Sequence, residues 1–218
     1  MTKVVNLLAG PGAGKSTVAA GLFYLMKINH ISCELVPEYA KDLTYEKRYQ
    51  ALTNQAYVFG KQLNRMDRIK GQVDWLVCDS PLLLTLIYQP LDYPKSFSAM
   101  VLDFFHQYDN QVVFLERSDA VYNPKGRNQT AEEAKEIDER ILAMLSYHKI
   151  PFKKFRAHSQ VHEEIFLDLF GADIGRDAVQ LEIILEAAEQ AIAIDLQGGR
   201  VGEIAGEIPI GSGDPSLP

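Results

Sequence analysis

Cysteine is scarce in this chain of 218 residues: Cys33 and Cys78 are the whole complement. Each lies in a separate apolar run without metal spacing, so neither a disulfide framework nor a cysteine-rich zinc module is expected, and a reducing cytoplasm fits. No apolar stretch approaches the roughly 18 residues of a membrane-crossing helix. A signal-peptide pattern is also missing. Positive charge is in short supply, with 22 Lys and Arg against 29 Asp and Glu, a net charge of −7. That balance weighs against a broad nucleic-acid surface but leaves room for a small local basic site. Internal repeats are absent. His106, His148, His158 and His162 show no ligand spacing, so surface or helix-end roles are expected of them. What remains is ordinary: 47% hydrophobic and 23% charged residues suffice for the core of one α/β domain.

Along the chain, strand-like and helix-like patterns alternate. Residues 3–9 (KVVNLLA) form a short apolar run that reads as a buried parallel strand. GPGAGKS follows, then TVAAGLFYLMKIN at helical period. SCELVP predicts a second strand, 40–50 and 52–70 two helices, and DWLVCD at 74–79 a third strand. Ser80 and Pro81 have the form of an N-cap and first helical residue. A helix over 97–108, a strand over 111–116, a capping box from Thr130 to Glu133 opening a helix to about 148, and a strand over 151–157 come next. Helices near 160–170 and 176–196 complete the pattern. This predicts an α/β fold of the P-loop NTPase, kinase-like kind: three layers, α/β/α, around a five-stranded parallel sheet with right-handed crossovers. One domain is expected over 1–197, with a lid at about 117–130. The tail 198–218, rich in glycine and proline, is expected to be extended or disordered.

The strongest signal is AGPGAGKS at 9–16, a strand-to-helix turn that departs from the usual phosphate-loop pattern only in having Ala9 for its first glycine. Gly10, Pro11, Gly12, Ala13 and Gly14 form the loop, whose amides can converge on phosphate at a helix N-terminus. Lys15 can reach the β- and γ-phosphates. Ser16 can place its hydroxyl on magnesium, and Thr17 opens the helix. ATP and Mg2+ are the implied cofactors.

In an open parallel sheet, ligands sit at the carboxyl ends of the strands. Glu38, after the second strand in VPEYAKD, is placed there to meet an acceptor hydroxyl; a plain surface turn would look the same. Asp79 ends the third strand where a magnesium-holding Asp belongs, although Asp is also a good helix cap. Asp79 is followed by Ser80, not by the water-polarising Glu of motor ATPases, and no Asn-Lys-x-Asp guanine reader occurs. A kinase also needs cations over the transferring group. Arg117, Lys125 and Arg127 lie in ERSDAVYNPKGRNQT, which reads equally as a solvated loop paired with Glu132, Glu133 and Glu136. The helix carrying Tyr57, Phe59, Gln62, Arg65 and Arg68 suits an acceptor wall, or simply an amphipathic core helix. Tyr39 and Tyr45 are further, weaker candidates for ring contacts.

AGPGAGKST, VPEYAKD, DSPLLL and YNPKGRNQT together resemble small bacteriophage-encoded P-loop proteins, described as AAA-like ATP-binding proteins or as nucleoside or nucleotide kinases. The resemblance spans about residues 3–157. VPEYAKD is more distantly similar to the Glu-containing motif of deoxynucleoside and ribosylnicotinamide kinases, and the wider group resembles thymidylate kinases. The resemblance implies transfer of a γ-phosphoryl group from ATP to a nucleoside or nucleotide, catalytic roles for Lys15, Glu38, Asp79 and Arg127, nucleotide contact by Arg117, and magnesium on Ser16 and Asp79. It leaves a homodimer open. Where deoxynucleoside kinases follow the third-strand acid with Arg, this chain has Ser80. Two alternatives stand beside this reading: a kinase acting on 5-hydroxymethyluracil in phage DNA, and a nucleotide-binding switch or partner-regulated ATPase.

Overall fold

A computed structural model describes residues 2–118 and 130–171. The element order is β1 (Lys3–Leu8), α1 (Lys15–Ile28), β2 (Cys33–Val36), α2 (Tyr39–Tyr45), α3 (Tyr49–Thr53), α4 (Gln55–Asp67), β3 (Trp75–Cys78), α5 (Leu84–Tyr88), α6 (Lys95–Phe105), β4 (Asp109–Glu116), α7 (Ala131–Tyr147) and β5 (Lys153–Arg156). A further helical segment covers 161–171. The five strands are all parallel, in the order β2-β3-β1-β4-β5. The register aligns Asn6 with Cys78 and with Val112, so the carboxyl ends of β1 and β3 finish side by side.

Both faces of the sheet are covered, as the near-continuous apolar run of β1 requires. On one face Leu8, Phe114 and Val112 pack with Leu84 and Ile87 of α5 and with Ile137, Ile141 and Leu145 of α7. Beside them Val4, Val36 and Leu76 meet Phe59 and Met66 of α4 and Phe97 and Val101 of α6. Each helix buries residues three or four apart, the spacing of one helical face. The other face receives α1, which contacts β1, β2 and β3. Segment 161–171 lies against α1, since a Cβ on Gly21 would stand 2.6 Å from the ring of His162.

Some boundaries differ from expectation. The two helices expected over 40–50 and 52–70 are three, because the chain leaves α2 at Glu46, takes a positive φ of 58° at Lys47, and breaks again at Asn54. Asn54 caps α4 by accepting from the Tyr57 amide at 3.1 Å. The helix expected to start at Pro81 begins only at Leu84, since the amides of Leu84, Thr85 and Leu86 bond three residues back to Pro81, Leu82 and Leu83. The capping box at Thr130 and Glu133 is present.

Among the described residues, three helices end in the same way on a residue other than glycine. His30, Lys47 and Lys149 have φ near 57°, 58° and 53°. In each case the next amide reaches back five residues, as Ile150 does to the Leu145 carbonyl at 2.9 Å. This is the Schellman arrangement, whose left-handed position favours glycine. Lys149→Gly should relieve the left-handed penalty of about 1–2 kcal/mol, less the entropy glycine regains on unfolding. The expected net gain is about 0.5–1 kcal/mol, a rise of roughly 1–4 °C in melting temperature. A melting curve that moves down would contradict this account of the turn.

Candidate functional site

The loop between β1 and α1 turns on two glycines with positive φ, Gly12 at 82° and Gly14 at 95°. Side chains rarely adopt these angles, which explains both glycines in the motif. Ala9, standing where the pattern has glycine, does not take a positive φ and is buried in the core. The need for a missing side chain falls instead on Gly10: a Cβ there would meet the Ala134 carbonyl at 2.5 Å and Arg117 Nη2 at 2.7 Å.

Lys15 folds back over the loop. Its ammonium donates to the Ala9 carbonyl at 2.8 Å and the Gly10 carbonyl at 3.2 Å. Burial lowers its pKa, opposed by the negative charges of Glu38, Asp79 and Asp138. Ser16, at the start of α1, donates its hydroxyl to Asp79 Oδ2 at 2.6 Å. Asp79 is buried, and its other oxygen, Oδ1, has no hydrogen-bond partner among the described residues. An unsatisfied buried carboxylate oxygen is costly and calls for an explanation.

Glu38 stands at the N-cap of α2, directly after β2, but its side chain makes no capping bond. Burial raises its pKa, while Lys15 beside it works in the opposite direction. The turn that carries it is pinned from α4. The amide of Gln62, itself buried, accepts from the Tyr39 N–H at 2.9 Å and donates to the Pro37 carbonyl at 3.3 Å. Arg65 donates to the same carbonyl at 3.1 Å and forms an ion pair with Asp42. Both residues were candidates for an acceptor wall; the structure places their polar atoms on the backbone and side chains around Glu38. The Tyr39 and Tyr57 hydroxyls lie 2.7 Å apart. Burial and this bond push Tyr39 up to about 12, and either hydroxyl can serve as the donor. Next to Tyr57 opens a cavity of about 560 Å³ whose lining includes Arg48, Tyr49 and Asn54.

Lys15, Ser16, Glu38 and Asp79 are thus brought together from the ends of three strands. Arg117 lies just past β4, paired with Asp138 of α7 and donating to the Ala134 carbonyl at 3.0 Å. Asp138 also accepts from the Gly10 amide at 2.5 Å. The sequence held no local signal for Asp138, which reads as one charge among many on an exposed helix face. Lys125, Arg127, most of the 117–130 lid, the helix expected at 176–196 and the tail from 198 lie outside the described residues.

A five-stranded parallel sheet of order 2-3-1-4-5, with this loop on its first strand and Asp79 at the end of the neighbouring third, defines a P-loop NTPase fold of the kinase-like kind. A family model described as an AAA domain matches residues 4–162, and the chain belongs to that family. No curated protein sequence matches. Among solved structures, NadR in complex with NAD and AMP-PNP is similar at a TM-score of 0.53 and 14% identity, covering 75% of this chain and 48% of the NadR chain. Deoxyadenosine kinase from M. mycoides, with dCMP and a flexible dCDP bound as products, is similar at a TM-score of 0.51 and 17% identity, covering 81% of this chain and 100% of that one. At such identities the likeness is one of fold. No described helix is long and apolar enough to cross a membrane.

Proposed function

We propose that this chain is an ATP-dependent phosphotransferase that moves the γ-phosphoryl group to a hydroxyl or phosphate of a nucleoside or nucleotide. One observation carries the reading: the Lys15 ammonium, the Ser16–Asp79 pair and an uncapped Glu38 carboxyl share one end of the sheet. The loop amides and the N-terminus of α1 take the polyphosphate, and Lys15, held by two carbonyls, turns its remaining hydrogen to the phosphate oxygens. Asp79 Oδ1 and the Ser16 hydroxyl would hold magnesium; a buried carboxylate oxygen without a partner fits that task. Among the described residues no three His, Cys, Asp or Glu side chains converge, and Mg2+ needs only one or two carboxylates where phosphates and water complete its shell. When bound, the ion neutralises charge on the phosphate oxygens.

Glu38 orients the acceptor and takes its proton. The pinned turn and the Tyr39–Tyr57 pair offer the acceptor a partly aromatic wall. That NadR is described with AMP-PNP and with NAD, and the deoxyadenosine kinase with nucleotide products, supports this donor and acceptor class. Arg127 and the 117–130 lid complete the proposal on sequence grounds. Arg117 would meet phosphate only on leaving Asp138.

The test is a panel of nucleosides and nucleotides offered with γ-labelled ATP. Label is expected on an acceptor of this class. Slow ATP hydrolysis with every acceptor unlabelled, together with ATP-dependent partner binding, would favour the switch. Retention on DNA that falls steeply with salt, with label entering the DNA, would favour the modified-base kinase.

A further inference from the structure

The phosphate loop is held from outside itself. Asp138 Oδ1 accepts from the Gly10 amide at 2.5 Å, and its other oxygen pairs with Arg117. The two side chains are only 14% and 18% exposed. Gly10 is pressed so closely against α7 that a Cβ would stand 2.5 Å from the Ala134 carbonyl. We infer that Asp138 is a positioning residue for ATP binding: it fixes the Ala9–Gly10 peptide, whose carbonyl, that of Ala9, in turn holds the Lys15 ammonium together with the Gly10 carbonyl. The inference rests on reading this loop as the donor site.

The charges explain how a carboxylate can serve there. An unpaired anion beside incoming phosphates would repel them. Arg117 cancels that charge while leaving Oδ1 free for the amide, and hydrogen bonds to an ionised acceptor are the stronger kind. Arg117 is itself anchored to the Ala134 carbonyl at 3.0 Å, so α7 supplies both ends of the clamp. Asp138 acts through Gly10 and needs no contact with the nucleotide.

Two variants separate positioning from simple bracing. Asp138→Asn loses the charge but keeps an oxygen for the Gly10 amide; Asp138→Ala loses both. Both abolish the ion pair with Arg117, so both should melt lower. Only Asp138→Ala should weaken Mg-ATP binding in calorimetry, by about tenfold, with Asp138→Asn within about threefold of the parent. In nucleotide-free protein, the Gly10 amide resonance should move upfield and exchange faster in Asp138→Ala alone. Should Asp138→Ala fail to fold, Arg117→Met/Asp138→Asn is compared with Arg117→Met/Asp138→Leu. Both double variants remove the buried charges together, only the first keeps an oxygen for the Gly10 amide, and the same tenfold difference is expected between the two. Equal Mg-ATP affinity across either pair, or an unmoved Gly10 amide, overturns the inference while the donor-site reading survives. A parent chain that binds no Mg-ATP overturns both.

Discussion

Lys15→Ala should abolish transfer and weaken Mg-ATP binding by about a hundredfold or more, the scale of two charge-assisted hydrogen bonds lost together. The structure adds a second penalty. Lys15 now covers the carbonyls of Ala9 and Gly10. Without the ammonium those oxygens face the phosphates uncompensated. Lys15→Arg should be nearly as damaging, because a planar fork does not fit where a compact point charge sits between two carbonyls and a polyphosphate. Calorimetry with Mg-ATP checks both. Affinity within threefold of the parent would remove the loop from the mechanism.

Glu38→Gln should slow transfer by about 10²–10⁴-fold, the usual range for a lost general base, while leaving Mg-ATP affinity within about threefold. The pH profile of kcat/KM sharpens the test, since it reports the free enzyme. Burial raises the Glu38 pKa, so the carboxyl holds its proton to higher pH than an ordinary Glu. Activity that needs the carboxylate then falls as pH drops through that raised value, and the acid limb lies above the usual carboxylate range. Burial lowers the Lys15 pKa, so the alkaline limb, where the ammonium is lost, moves below the usual lysine range. The profile should be narrowed from both sides, and Glu38→Gln should lose the acid limb. A Gln variant that transfers at the parent rate, or keeps that limb, would mean another group takes the proton.

Much of this architecture is visible in local pattern. The run KVVNLLA, two glycines at the angles that need them, and helical spacing after Lys15 are short-range features, and they suffice for the first strand, the loop and α1. Glu38 and Asp79 follow from the rule that sites sit at strand ends, once the strands are placed. The break at Lys47 was hidden because a lysine occupies a left-handed turn where glycine would have announced it. Pro81 promised a helix, but tight three-residue turns intervene before Leu84. The contact of Gly10, a loop residue by its motif, with Asp138 escaped for a different reason. Their bond joins residues 128 positions apart, and the demand for a bare Cα at Gly10 comes from the Ala134 carbonyl on α7, not from the loop's own angles. Gln62 shows the same limit: its helix was legible, while the direction of its amide depends on where β2 ends.

The last strand of the sheet carries a consequence for assembly. β5 is four residues long and reads Lys-Lys-Phe-Arg, with Lys154 bound to Glu116 on its inner neighbour and Lys153 to Asp168. In a second molecule approaching strand to strand, the same three cations would face these. Brevity and lysine are how proteins blunt an open flank against stray pairing. If two copies of this protein do associate, β5 is a poor seam for joining their sheets into one, and helical surfaces are the better ground on which to look for the contact.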